Sequence, residues 1–115
     1  MDELVSIITP VFNGEKWISD CIESVQAQTY RNWEMLIVDD NSQDGTLDII
    51  KKYLYDSRIK VFTNDSNMKV AFSRNLAIKN SKGRYIAFLD SDDLWLPNKL
   101  EKQIKFMKKN NYAFT

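Results

Sequence analysis

Histidine is absent from this 115-residue chain, and cysteine occurs once, at Cys21. Together these absences exclude an internal disulfide and an ordinary zinc site, and they remove imidazole from any acid, base or ligand role. Chemistry here must rest on carboxylates, hydroxyls, amides and cationic side chains, and oxygen ligands suit hard cations such as magnesium or manganese. Net charge is also missing. Sixteen Lys and Arg balance sixteen Asp and Glu, whereas wholesale binding to nucleic-acid phosphates calls for a basic surplus, so no nucleic-acid partner is expected. No run approaches the ~18–20 apolar residues of a transmembrane span. The Met1-Asp2-Glu3 start has the wrong charge sign for a secretory signal, which makes a cytoplasmic location the expectation. The three glycines, Gly14, Gly45 and Gly83, form neither a GxGxxG fingerprint nor a P-loop, which removes NAD and ATP sites of those kinds.

What is present is a globular composition, 43% hydrophobic and 28% charged, in a length that suits one domain. Two periodicities alternate. Leu4 to Val11 reads as a strand buried on both faces, and Trp17, Ile18, Cys21, Ile22 and Val25 recur at helical spacing within Glu15 to Ala27. Glu34 to Val38 is a second strand, followed by an Asp44-Gly45 turn and a helix striped by Leu47, Ile50, Tyr53 and Leu54. Arg58 to Thr63 alternates as a strand with one exposed face, and Val70 to Asn80 reads as a helix closed by Gly83. Tyr85 to Leu89 has no polar position and is expected to be a central strand. Pro97 suits the first turn of a last helix carrying Leu100, Ile104 and Met107 inward, and Tyr112 to Thr115 reads as the start of another strand.

This β-α alternation predicts an α/β fold, a mainly parallel sheet with helices on both faces. Ligands in such folds bind outside the carboxyl ends of strands, where strand order reverses. The segments that follow strands one, two and four are Thr9 to Asn13, Asp39 to Ser42 and Asp90 to Asp93, all polar or acidic after apolar runs. Asp90, Asp92 and Asp93 place three carboxylates within four residues. Mutual repulsion makes a divalent cation their natural partner, against the plainer reading of one capping aspartate among solvated ones. Asp39 and Asp40 can accept from the N–H of a nucleobase edge, or else serve a turn. Phe12 is either a stacking platform for a base, worth ~1–3 kcal/mol by analogy with nucleic acids, or a packing residue under the first helix. Arg74 suits a phosphate or a loop carboxylate, or else a surface salt bridge. Cys21 reads as a small core residue, Trp17, Trp33 and Trp95 as packing groups, and Lys51-Lys52 and Lys108-Lys109 as solvated faces.

In order, VSIITPVFN, MLIVDDNSQDGT, SRNLAI and GRYIAFLDSDD span nearly the whole chain. They resemble the nucleotide-sugar-binding half of family 2 glycosyltransferases with the GT-A fold, a Rossmann-like arrangement. The resemblance implies nucleoside-binding roles for Thr9, Pro10, Phe12, Asn13, Asp39 and Asp40. It implies metal or diphosphate roles for Asp90 and Asp92 with Mn2+ or Mg2+, and places Arg74 and Ser91 beside the nucleotide. By the same resemblance the donor is a nucleotide-diphosphate sugar, UDP-linked, and transfer to a saccharide or lipid-linked acceptor hydroxyl proceeds with inversion in polysaccharide biosynthesis. Where the family usually carries a glycine before its RN helix, this chain has Met68-Lys69. The family's acceptor-binding half and acidic general base have no counterpart before Thr115. The 115 residues are therefore expected to form a partial donor domain with no catalytic base of its own, self-associating through an apolar surface around Trp95 and Leu96, with the intact enzyme peripheral to the inner membrane face. Two rival readings are a non-catalytic nucleotide-binding or assembly module and a magnesium-dependent phosphoryl-transfer domain. An aspartyl nucleophile of the latter kind would be wanted after the first strand, where Thr9 to Asn13 stands instead.

Overall fold

Four parallel strands alternate with four helices in the computed structural model, which describes residues 3–110. The elements are β1 (Val5–Val11), α1 (Ile18–Gln26), β2 (Trp33–Asp39), α2 (Thr46–Lys51), β3 (Ile59–Thr63), α3 (Lys69–Lys79), β4 (Tyr85–Phe88) and α4 (Lys99–Asn110). Strand order is β3-β2-β1-β4. The register runs from Val5↔Trp33 to Val11↔Asp39 on one side of β1 and from Val5↔Tyr85 to Ile8↔Phe88 on the other. The chain therefore walks outward from β1 to β3, then crosses back to lay β4 beside β1. That reversal opens a crevice at the carboxyl ends of β1 and β4.

Alternation along each strand divides the core between two layers. Val5, Ile7, Val11, Met35, Ile37, Tyr85, Ala87 and Leu89 pack with Ile18, Cys21, Ile22 and Val25 of α1, Ile50 of α2, and Leu100, Ile104 and Met107 of α4. On the opposite face Ile8, Leu36, Val38 and Ile86 meet Ala77, Leu76 and Ile78 of α3. Helices thus cover both faces, which is why β1 and β2 read as continuous apolar runs.

Several sequence expectations shift. β4 is not central: among the described residues it pairs with β1 alone. Its apolar residues answer to helices above and below rather than to flanking strands. Residues 15–17 form a turn whose Trp17 and Ile18 N–H groups both donate to Gly14 O, so α1 begins at Ile18. Tyr53 and Leu54 lie in turns past the six-residue α2, and Pro97 lies two residues ahead of α4. Gly83 does not close α3, whose C-cap is Asn80. A Cβ at Gly83 would fall 2.5 Å from Ser6 Oγ and 2.6 Å from Ser6 N, so the glycine permits close approach to β1. The strand expected over Tyr112 to Thr115 lies outside the described residues.

The amino ends of the strands are tied by one buried carboxylate. Glu34 accepts from Ser6 Oγ (2.6 Å), Lys82 N (2.7 Å) and Lys60 Nζ (3.0 Å), while Gly83 N donates to Ser6 Oγ at 2.8 Å. Burial by itself would raise the Glu34 carboxyl; the hydrogen bonds from Ser6, Lys82 and Lys60 outweigh it and hold it below its usual range.

Candidate functional site

At the opposite ends of the same strands lies a cleft of about 460 Å3, lined by Pro10, Val11, Phe12, Gly14 and Trp17 from β1 and its turn, Asp40 after β2, Val70, Ser73 and Arg74 of α3, and Asp90, Ser91 and Asp92 after β4. Of the residues singled out from the sequence, Pro10, Phe12, Asp40, Arg74, Asp90, Ser91 and Asp92 come together here. Phe12 is 49% exposed, so it is not a packing residue under α1. Trp17, expected to pack, is 50% exposed and forms part of the cleft wall. The helical stripe of α1 is complete in Ile18, Cys21, Ile22 and Val25. Trp17 precedes that helix, at the end facing the strand termini, and this is the signal that separates it from the core. Trp33 and Trp95 are buried.

Thr9, Asn13 and Asp39 do not line the cleft. Thr9 lies within β1 opposite Ile37, wholly buried, and neither its Oγ1 nor Asp39 Oδ1 has a hydrogen-bond partner among the described residues. Asn13 sits at φ 52° and staples two loops: its N–H donates to Ser42 Oγ at 2.9 Å and its Oδ1 accepts from Gln43 N at 2.8 Å. Asparagine tolerates that left-handed backbone better than most residues.

Asp40 organises the loop that leads into α3. Its Oδ1 accepts from Asn64 Nδ2 (2.8 Å) and Met68 N (2.7 Å), and its Oδ2 from Lys69 N (2.9 Å). Burial would raise this carboxyl; the Met68, Asn64 and Lys69 hydrogen bonds prevail and lower it. Lys69 has φ 74°, a left-handed conformation that a side chain resists by about 1–2 kcal/mol. This is the position where a glycine was expected from the resemblance, and Asp40 holds the turn without one.

The acidic end of the cleft is different in kind. Carboxylate oxygens of Asp90, Asp92 and Asp93 lie within 4.8 Å of one another, and all three residues are exposed. Among the described residues the cluster has one ion pair, Arg74 Nη2 to Asp90 Oδ1 at 3.2 Å. Arg74 also lies over the Phe88 ring, 5.4 Å from its centroid. Beneath the turn, the buried Cys21 thiol donates to Asp90 O at 3.7 Å. Burial, then the negative charges of Asp93, Asp92 and Asp90, push that thiol up to about 12, so it stays protonated. A converging set of hard oxygen donors with little compensating charge fits a divalent ion of the magnesium or manganese type.

An open parallel sheet with an acidic, aromatic-walled cleft at its switch point defines a binding fold of the nucleotide-recognising α/β class. The sequence model of glycosyl transferase family 2 matches residues 6–115, and the chain belongs to that family. It is 53% identical over 113 residues to the UDP-Glc:alpha-D-GlcNAc-diphosphoundecaprenol beta-1,3-glucosyltransferase WfgD of Escherichia coli, covering 98% of this chain and 44% of that protein. The chain thus spans less than half the length of this relative. The crystal structure of S. aureus TarS 1-349 in complex with UDP-GlcNAc superposes with a TM-score of 0.87 at 32% identity, over 93% of this chain and 32% of that one. The mannosyltransferase PcManGT from Pyrobaculum calidifontis, in complex with GDP-Man and Mn2+, shares the fold at a TM-score of 0.87 and 21% identity, over 93% and 33% of the two chains. The fold is therefore GT-A. No helix among the described residues is long and apolar enough to cross a membrane.

Proposed function

We propose that this chain is the nucleotide-sugar-binding part of a glycosyltransferase, taking a UDP-sugar together with Mn2+ or Mg2+. The observation that carries the reading is the meeting, in one cleft at the switch point, of an exposed aromatic wall and an exposed carboxylate cluster. The binding of UDP-GlcNAc by the related TarS supports it. Phe12 offers its ring face to the base. Asp40 shapes the adjoining loop and lines the cleft beside it. Asp90 and Asp92, with Asp93 in reach, would hold the cation, whose charge would offset that developing on a departing nucleoside diphosphate. Arg74 provides a second cationic group for phosphate oxygens.

Transfer to an acceptor hydroxyl, with inversion and with an acidic base supplied from outside these residues, is proposed for a longer protein of which this chain is part. WfgD's name points to a lipid-linked saccharide acceptor, which suits a place at the cytoplasmic membrane face in polysaccharide biosynthesis. The 115 residues alone bind donor without turnover. Self-association is proposed through Leu94 and Leu96, which are exposed, and not through Trp95, which is buried; light scattering giving a strict monomer would count against it. The test of the main reading is thermal unfolding with Mn2+, UDP and both. Joint addition should raise Tm beyond either alone by mass action on the folded state, and no shift at millimolar concentrations would defeat it.

A further inference from the structure

The acidic turn carries clustered negative charge within the ten residues of loop, 89–98, between β4 and α4, and something must fix its shape. The restraint comes from α1 and from Gln28, two residues past its end. Gln28 is fully buried, although glutamine is ordinarily a surface residue. Its Nε2 donates to Leu96 O at 2.7 Å and to Ser24 O at 3.1 Å, and its Oε1 accepts from Leu100 N at 3.0 Å. Leu100 N belongs to the first turn of α4, where backbone donors lack helical partners. One amide side chain thus caps α4 and grips the loop ahead of it. Around it, Trp95 N donates to Ser24 Oγ at 3.3 Å and Thr29 N donates to Pro97 O at 2.8 Å. At the loop's other end, Cys21 Sγ reaches Asp90 O, and Asp93 N donates to Asp90 O at 3.0 Å. Cys21, Ser24 and Gln28 are spaced three and four residues apart, so one edge of α1 and its extension follows the loop along its length.

We infer that Gln28, seconded by Ser24, is a positioning residue that sets the geometry of the Asp90–Asp93 turn for its cation, through the backbone of residues 95–100. This rests on the reading of that turn as a metal site. A leucine at position 28 would keep most of the volume but lose the cap on Leu100 and the grip on Leu96. The carboxylates would then be free to splay apart under their own repulsion.

The experiment is Mn2+ titration of the 115-residue chain, followed by the electron paramagnetic resonance signal of free Mn2+, for wild type, Gln28→Leu, Ser24→Ala and Glu34→Gln. The last variant disturbs a buried network at the other end of the sheet, so it separates loss of stability from loss of position. Amide hydrogen exchange at Leu100 and Trp95, without metal, gives a second readout. Gln28→Leu should weaken Mn2+ affinity ~10-fold or more, as removal of an outer support of a metal site does. It should also speed exchange at Leu100, while Glu34→Gln leaves both unchanged. Should Gln28→Leu fail to fold, Ser24→Ala decides, with a smaller loss of affinity and faster exchange at Trp95. Unchanged Mn2+ affinity in the folded variants, or an equal loss in Glu34→Gln, would overturn the inference while leaving the metal site in place. A wild-type chain that binds no Mn2+ would remove the metal site and the inference with it.

Discussion

Two sets of carboxylates stand at opposite ends of one sheet and are treated in opposite ways. At the amino ends Glu34 is buried and accepts from a hydroxyl, a backbone N–H and an ammonium, with Lys60 supplying the compensating charge. At the carboxyl ends Asp90, Asp92 and Asp93 are exposed and crowded within 4.8 Å, and among the described residues only Asp90 has an ion pair, with Arg74. The first arrangement converts a charge into a structural tie, because every lone pair that matters is occupied inside the protein. The second leaves charge unspent, at a place where the fold opens a crevice. Asp40 stands between the two: its carboxylate is fully engaged by the 64–69 loop, yet it borders the cleft. An acidic residue at a strand end is thus read by its donors, not by its position alone.

This contrast breaks most visibly under substitution. Glu34→Ala should cost roughly 2–4 kcal/mol in denaturant unfolding, since it strands the Ser6, Lys82 and Lys60 donors, and it should leave UDP affinity untouched. A loss below ~1 kcal/mol would show that the tie is dispensable. The next largest effect lies in binding. Phe12→Ala should weaken UDP by ~1–3 kcal/mol in calorimetry while changing stability little, as its ring is already half exposed. Comparable destabilisation would return Phe12 to a packing role.

At the acidic turn the sign of the stability effect should invert. The double change Asp92→Asn with Asp93→Asn removes repulsion, so metal-free stability should stay within about 0.5 kcal/mol of the parent or rise. The stabilisation by Mn2+ should vanish in the same protein, and a residual Mn2+ shift would place the ion elsewhere. Acid provides a further separation. Glu34 and Asp56 both have depressed carboxyl values in the folded chain, Asp56 falling from 3.8 to about 2 through its hydrogen bonds with Arg58. Their contribution is complete above the unfolded values near 4 and is lost as pH falls through the folded ones. Tm should therefore decline between about pH 4.5 and 2, and Asp56→Asn should flatten the lower part of that decline. The smallest effect concerns the strained turn. Lys69→Gly should stabilise by about 1 kcal/mol or less, because relief of the left-handed backbone is offset by the added freedom of the unfolded chain. A loss of stability would mean that Lys69 contributes more through its side chain than its backbone withholds.

The sequence made the strand ends legible because apolar runs halt abruptly there, at Asp39-Asp40 and at Asp90. It could not show which side chains turn toward ligand and which toward backbone. Thr9 lies within the stretch read as strand, but its side chain is wholly buried and does not reach the cleft, while Asn13 accepts from Gln43 N through its Oδ1 and donates its backbone N–H to Ser42. Trp17 was hidden by its one-turn spacing from Cys21. The place of β4 was hidden for another reason. Apolar residues on both faces of a strand report covering helices, and strand neighbours are set by long-range pairing that local pattern does not encode. Gln28 carried no signal at all, since a buried glutamine is recognised by its partners, and those lie near residue 100.

If the carboxylates of the β4–α4 turn hold a cation for a nucleoside diphosphate, UDP binding must depend on that metal. Titration calorimetry of UDP into the chain, with Mn2+ and then with a chelator, tests it directly. Saturable one-to-one binding is expected with Mn2+, and an affinity at least tenfold weaker, a difference of about 1.4 kcal/mol, once the metal is removed. Equal affinity in the two conditions, or no binding at millimolar UDP with Mn2+ present, would contradict it.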